Sequence, residues 1–150
     1  MVSSNSRAWS LGSWASLGVR STSTAVAAKL AETLMGIEEV PNIPMFRKNT
    51  AAFIHELAAS SISNVDGDSN YVRVQVLTNA GALDRNKQLA VVEQFDVLVA
   101  DAGGDDGLKD RTWVLLTEAV PGGWGLSGHA STNEELVAAA RAETARLSGA

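Results

Sequence analysis

Tyr71 to Gly104 reads YVRVQVLTNAGALDRNKQLAVVEQFDVLVADAGG, and two periods meet inside it. From Tyr71 to Thr78 the apolar residues Val72, Val74 and Val76 alternate with Arg73 and Gln75. A period of two with one polar face predicts a strand. NAGALD supplies turn chemistry, with Gly81 free to take a positive φ. Asp84 stands where a helix N-cap belongs. Beyond it, Leu89, Val92, Phe95 and Val99 recur at spacings of three and four, which predicts a helix with an apolar stripe turned to a core. Gly103 and Gly104 end that helix. After DDGLKD, Thr112–Glu118 predicts a second strand, and its four consecutive apolar residues, Trp113 to Leu116, imply cover on both faces. Strand, helix and strand in this order imply a parallel pair joined by a right-handed crossover.

The same pattern is visible upstream. TAVAAKLAETLMGIEEV (Thr24–Val40) predicts a helix with Val26, Leu30, Leu34 and Ile37 on one face, capped by Thr22 or Thr24. Pro41 and Pro44 punctuate it. NTAAFIHEL (Asn49–Leu57) lies over RTWVLLTEA (Arg111–Ala119) at a shift of 62 residues, with Thr50 on Thr112, Phe53 on Leu115, His55 on Thr117 and Glu56 on Glu118. This predicts an internal repeat whose first strand falls at Trp9–Ser16, WSLGSWAS, a stretch of low β-propensity. The C-terminal stretch 132–147 predicts a further helix, with capping boxes offered by Ser131/Glu134 and Thr132/Glu135 and with Leu136, Ala139, Ala140 and Leu147 on one face. The expected architecture is an α/β (α+β) fold. Two tandem β-α-β repeats (about 8–68 and about 70–130) form one four-stranded sheet with two helices on one face, followed by the C-terminal helix, in a single domain.

Composition bounds the functions open to such a domain. A chain of 150 residues is one domain by size. A net charge of −5 with no basic stripe argues against nucleic acid, as does the lack of paired aromatics on the Tyr71 strand. There is no cysteine, so there is no disulfide, thiolate metal site or cysteine nucleophile. The two histidines, His55 and His129, suggest no metal site, and no apolar run reaches the ~20 residues of a bilayer span. A cytoplasmic protein is the default. Residues 1–20 complicate it, since they are rich in serine, carry Arg7 and Arg20, and contain no acidic residue. That composition fits an organelle-targeting leader, a disordered tail or a mis-called start.

The paired β-α-β pattern, together with the run WVLLTEAVPGGWGLSG (Trp113–Gly128), resembles the tautomerase superfamily of 4-oxalocrotonate tautomerase and macrophage migration inhibitory factor. The most specific part is the strand end Thr117-Glu118 followed by the corner Trp124-Gly125 and Gly128. The resemblance implies a fused, two-repeat member assembled as a homotrimer, with neither metal nor organic cofactor. Its activity would be that of an isomerase, moving a proton on a small 2-oxo or enol carboxylic acid in an apolar pocket. In that family the base is an N-terminal proline, whose amine is kept neutral by desolvation. Here no proline precedes Pro41, so the base is unassigned and a catalytically inactive relative, acting as a binding or structural protein, stands as the alternative.

By resemblance, Trp124 is the pocket wall, with a core cap or a subunit contact as its other readings. Arg20 occupies the place of a substrate-carboxylate arginine, and Arg111 stands in for a second one, which is absent from the aligned positions Ala51 and Trp113. Arg47 and Lys48 read as surface cations. His55, near the end of its expected strand, is a candidate proton relay or a structural histidine. Glu56 and Glu118 occupy equivalent places, which implies a shared structural job such as accepting backbone hydrogen bonds at a strand end.

Overall fold

The computed structural model describes residues 20–149; the strand expected at Trp9–Ser16 lies outside them. Its helices are α1 (Arg20–Glu38), α2 (Pro44–Asn49), α3 (Arg85–Gly103) and α4 (Asn133–Leu147). Its strands are β1 (Val72–Asn79), β2 (Thr112–Ala119), β3 (Trp124–Leu126) and β4 (His129–Ser131), with 3-10 turns at Ala59–Ser61 and Asp106–Arg111.

The central unit follows from local chemistry. β1 and β2 pair in parallel over their whole length, from Val72↔Thr112 to Asn79↔Ala119. α3 joins them. Asp84 accepts a hydrogen bond from the Lys87 amide at 2.9 Å, and Gly104 closes the helix at φ 61°, a conformation that favours glycine. Val74 and Val76 of β1 and Val114 and Leu116 of β2 point to the same side. There they meet Val91, Phe95 and Leu98 of α3 and Leu30, Leu34 and Ile37 of α1, so both helices cover one face of the pair. Val91 is wholly buried and Phe95 is 3% exposed. At roughly 1.5–3 kcal/mol for each large apolar side chain withdrawn from water, this cluster is the main stabilising element of the fold.

Four expectations need correction. The α3 stripe keeps the expected Phe95 and Val99, but its first turns face the core through Val91, while Leu89 is 51% and Val92 37% exposed. The apolar run Trp113–Leu116 is covered on one face only. Trp113 and Leu115 lie on the outer face with Arg73, Gln75 and Leu77, in the pairs Arg73↔Trp113 and Gln75↔Leu115, and the Trp113 ring packs on Tyr71 with centroids 5.3 Å apart. Thr22 and Thr24 fall inside α1, so neither occupies a position ahead of it.

The fourth correction concerns the sheet. Among the described residues there is no four-stranded sheet, only the parallel pair β1–β2 and the antiparallel pair β3–β4. Asn49–Leu57 is not a strand: α2 ends at Asn49, and 50–58 carries no strand pairing, with Phe53 82% exposed. The reason lies in α2. Pro44 sets the first turn of a helix, and the six residues of α2 bring Thr50 and Ala51 to the C-terminal end of β1, not along an edge of the sheet. The pattern that matched β2 is present in the sequence, but the segment pairs with neither outer edge of β1–β2.

The segment after β2 is a set of tight turns. Pro121 and Gly122 (φ 79°) form the centre of a turn closed by the Gly123 amide on Val120 O at 2.7 Å. A Cβ on Gly123 would stand 2.8 Å from that same carbonyl, so the close approach requires glycine. Ser127 (φ 53°) and Gly128 (φ 79°) then make the two-residue connection of the β3–β4 hairpin, both left-handed as the twist of a hairpin demands. Of the two candidate capping boxes the structure uses Thr132/Glu135, which starts α4. Replacing Thr132 with alanine removes one half of that box and is expected to lower stability by about 1 kcal/mol, read by chemical denaturation.

Candidate functional site

A cavity of about 210 Å³ opens where the C-terminal end of β1 meets α1, α2 and the β3–β4 hairpin. Leu34 and Glu38 line it from α1, and Met45 and Phe46 from α2. Leu77, Thr78 and Asn79 come from β1, Trp124 and Leu126 from the hairpin, and Leu136 from α4. The wall is held by long-range bonds. Asn133 donates its side-chain amide to Ala80 O at 2.9 Å, and the Met45 amide donates to Glu143 Oε1 at 3.2 Å, which ties α4 to α2. Glu118 accepts the Gly81 amide at 3.0 Å, the strand-end role expected of it, and this fixes the turn that leaves β1.

Two polar groups in this mostly apolar wall lack partners that would explain them. Thr78 is 3% exposed, and its Oγ1 has no hydrogen-bond partner among the described residues. Leaving a buried hydroxyl unsatisfied costs about 1–3 kcal/mol, so a valine of the same shape would be the better choice for packing alone. The second group is Glu38. Burial raises its carboxyl above the ordinary 4.5, and the charge of Lys87 opposes the shift only in part. Lys87 reaches this wall from α3, donating to Glu38 O at 2.9 Å and pairing with Glu39 at 3.0 Å.

The Glu38 shift has a consequence for stability. A carboxyl whose folded pKa is raised holds its proton more tightly in the folded chain than in the unfolded one. Stability therefore falls as pH rises from 4.5 through the folded value, and it returns on acidification. Glu38→Gln is expected to be more stable than the wild type at neutral pH, with the difference closing as pH approaches the ordinary glutamate value. Denaturation midpoints measured across pH check this. A variant less stable than the wild type at every pH contradicts it.

Of the residues predicted to form a site, Trp124 alone is placed by the structure on the cavity. Arg111 belongs elsewhere. Its guanidinium binds Asp105 Oδ2 at 2.6 Å, Asn70 O at 3.0 Å and Gly107 O at 3.2 Å, locking the 3-10 turn before β2 to the entry of β1. His55 is exposed in the segment after α2 and does not line the cavity. Arg20 is the first described residue of α1, and its side chain lies outside what the structure describes. His129 meets Glu135 at 3.1 Å on the surface. Among the described residues no three His, Asp or Glu side chains converge as metal ligands.

The sequence reading missed Glu38 and Thr78. Glu38 did leave a signal: it follows Leu30 and Leu34 at successive spacings of four, so a carboxylate continues the apolar stripe of α1. Thr78 left none, because a threonine on an inward strand position packs as valine does. No helix among the described residues is long and apolar enough to cross a membrane. No protein-family model matches the chain, and no curated protein matches it either.

Proposed function

We propose that this chain is a tautomerase-like isomerase that moves a proton between the keto and enol forms of a small carbonyl compound in the cavity walled by Trp124. The observation that carries the proposal is a carboxyl with a raised pKa, Glu38, set in a mostly apolar cavity together with an indole. Desolvation is what raises the proton affinity of such a group above that of an ordinary glutamate. The cavity exceeds the roughly 150 Å³ that accepts benzene and falls below the ~300 Å³ of ordinary ligand pockets, which suits a molecule of a single ring or short chain. A 2-oxo or enol acid remains the substrate class, with its apolar end inside. No arginine stands on the described wall, and Lys87 is the cation tied to it. No metal or organic cofactor is required for this chemistry. The half-apolar outer face of β1–β2 suits self-association, and sedimentation analysis tests whether it yields the homotrimer that the resemblance implies.

A binding protein without catalysis is the second reading, favoured by a described cavity lining that holds no arginine, lysine or histidine. One assay separates the two. Purified protein is given the enol form of phenylpyruvate, and the decay of enol absorbance is followed against buffer, with tryptophan fluorescence read in parallel. A rate above buffer that falls in Trp124→Ala supports the isomerase. Quenching without a rate, lost in Trp124→Ala, supports binding alone.

A further inference from the structure

We propose that the groove between the first turns of α1 and the last turns of α3 is the docking site of the chain's own segment 1–19, with Trp14 as its apolar anchor and Arg7 as the counter-ion of Asp101. The groove encloses about 300 Å³, room for a large aromatic side chain. Ala25 and Val26 line it from α1 and Leu98 and Ala102 from α3, with Lys29 and Asp101 as the charged residues among them. It lies toward the opposite end of α1 from the Trp124 cavity, which Leu34 and Glu38 line. Asp101 stands near the end of α3, where the carbonyl end of a helix favours a cation, yet the last turn holds no basic residue. Lys29 pairs with Glu32 at 3.2 Å, and Lys109, whose charge also reaches Asp101, pairs with Asp106 at 2.6 Å. Among the described residues Asp101 therefore has no ion pair.

Chain order decides the occupant. Segment 1–19 leads directly into α1, and Ala25 and Val26 lie only about 8–9 Å along the helix from Arg20. Trp14 stands six residues before Arg20, a span of at most about 20 Å, and Arg7 has about twice that reach. Trp9, Leu11, Trp14, Leu17 and Val19 put five large apolar side chains into eleven residues, a composition that favours burial over a solvated tail. The charge is complementary as well: Arg7 is the single charged side chain of the segment, which holds no acid to oppose Asp101. A tether this short holds the segment near the groove at roughly millimolar effective concentration, so it fills the groove ahead of a second copy at micromolar protein.

The test uses the full chain. The wild type has no cysteine, so two introduced cysteines form one intramolecular disulfide and no other. Ser13→Cys, beside the anchor, is combined with Ala102→Cys in the groove. The control combines it with Asp110→Cys, an exposed position in the 3-10 turn that packs on the same end of α3, so tether length alone favours neither pair. Under mild oxidation the groove pair is expected to close within the monomer at least about tenfold faster than the control pair. Adding Trp14→Ala should slow the groove pair at least about fivefold and leave the control unchanged. Arg7→Glu should slow it about threefold, and Asp101→Arg in that background should restore it, as the exchange of two paired charges does. Equal rates for the two pairs, no effect of Trp14→Ala, or a charge exchange that restores nothing overturns the proposal. Disulfides formed between chains also overturn it and give the groove to a second copy. Each outcome leaves the isomerase reading untouched, since that reading concerns the other cavity.

Discussion

Phe95→Ala is expected to lower the unfolding free energy by about 3–5 kcal/mol, the cost of emptying an aromatic site in a packed core. Phe95 is 3% exposed and belongs to the cluster in which α3 meets β1, β2 and α1. Its loss removes contacts to both helices and to the sheet at once. No neighbour can close the gap without moving, because Val91, one turn earlier, is already wholly buried. Against a total stability of roughly 5–15 kcal/mol, the loss takes a third or more of what holds a domain folded. The midpoint of thermal unfolding should drop by roughly 10 °C or more. Leu89→Ala is the matched control: Leu89 lies on the same helix, on the stripe drawn from the sequence, yet it is half-exposed. It is expected to change stability by no more than about 0.5 kcal/mol. Equal losses from the two variants would mean that α3 faces the sheet along Leu89 and Val92, against the packing described here.

The second large effect is expected at Arg111. Replacement by alanine removes three hydrogen bonds, to Asp105, Asn70 and Gly107, and leaves Asp105 without its cation. Fully buried pairs broken on one side cost about 3–5 kcal/mol; Asp105 is partly exposed, so about 2–3 kcal/mol is expected. Arg111→Lys should recover less than half, since an ammonium cannot serve three acceptors spread as a planar fork. The same variants decide between two roles. If Arg111 only secures the turn into β2, kcat and KM for phenylpyruvate stay unchanged once the protein is folded. If it binds a substrate carboxylate, as the resemblance implied, KM rises tenfold or more, about 1.4 kcal/mol of lost binding, whatever happens to stability. The geometry commits Arg111 to the first outcome.

Glu38 and Thr78 both weaken the fold around the cavity. The burial of Glu38 costs stability at neutral pH, and Thr78 adds an unsatisfied hydroxyl to the same wall. Glu38→Gln and Thr78→Val are each expected to stabilise the chain at neutral pH.

Short-range chemistry was legible in the sequence. The β1–α3–β2 unit follows from a period of two, an Asp84 cap, a period near four and a terminal Gly104, and each of these signals lies within a few residues of the structure it specifies. The same holds for the Thr132/Glu135 box at the head of α4 and for the turn residues around Trp124. Nothing local could decide whether Asn49–Leu57 becomes a strand, because a strand exists only when another edge accepts its hydrogen bonds. Here α2 carries the chain past the sheet to the end of β1. Nor could it decide which polar residues share a wall. Glu38, Thr78 and Trp124 lie far apart in sequence and meet only because α1 and the hairpin both converge on the end of β1, and there desolvation alters what the carboxyl can do. Caps, turns and periodicity act over one or two turns of chain, so the ends of the helices and strands in the central unit could be read from neighbouring residues. The tertiary structure alone decided the strand pairing and the cavity, since both depend on burial between segments that the chain order keeps apart.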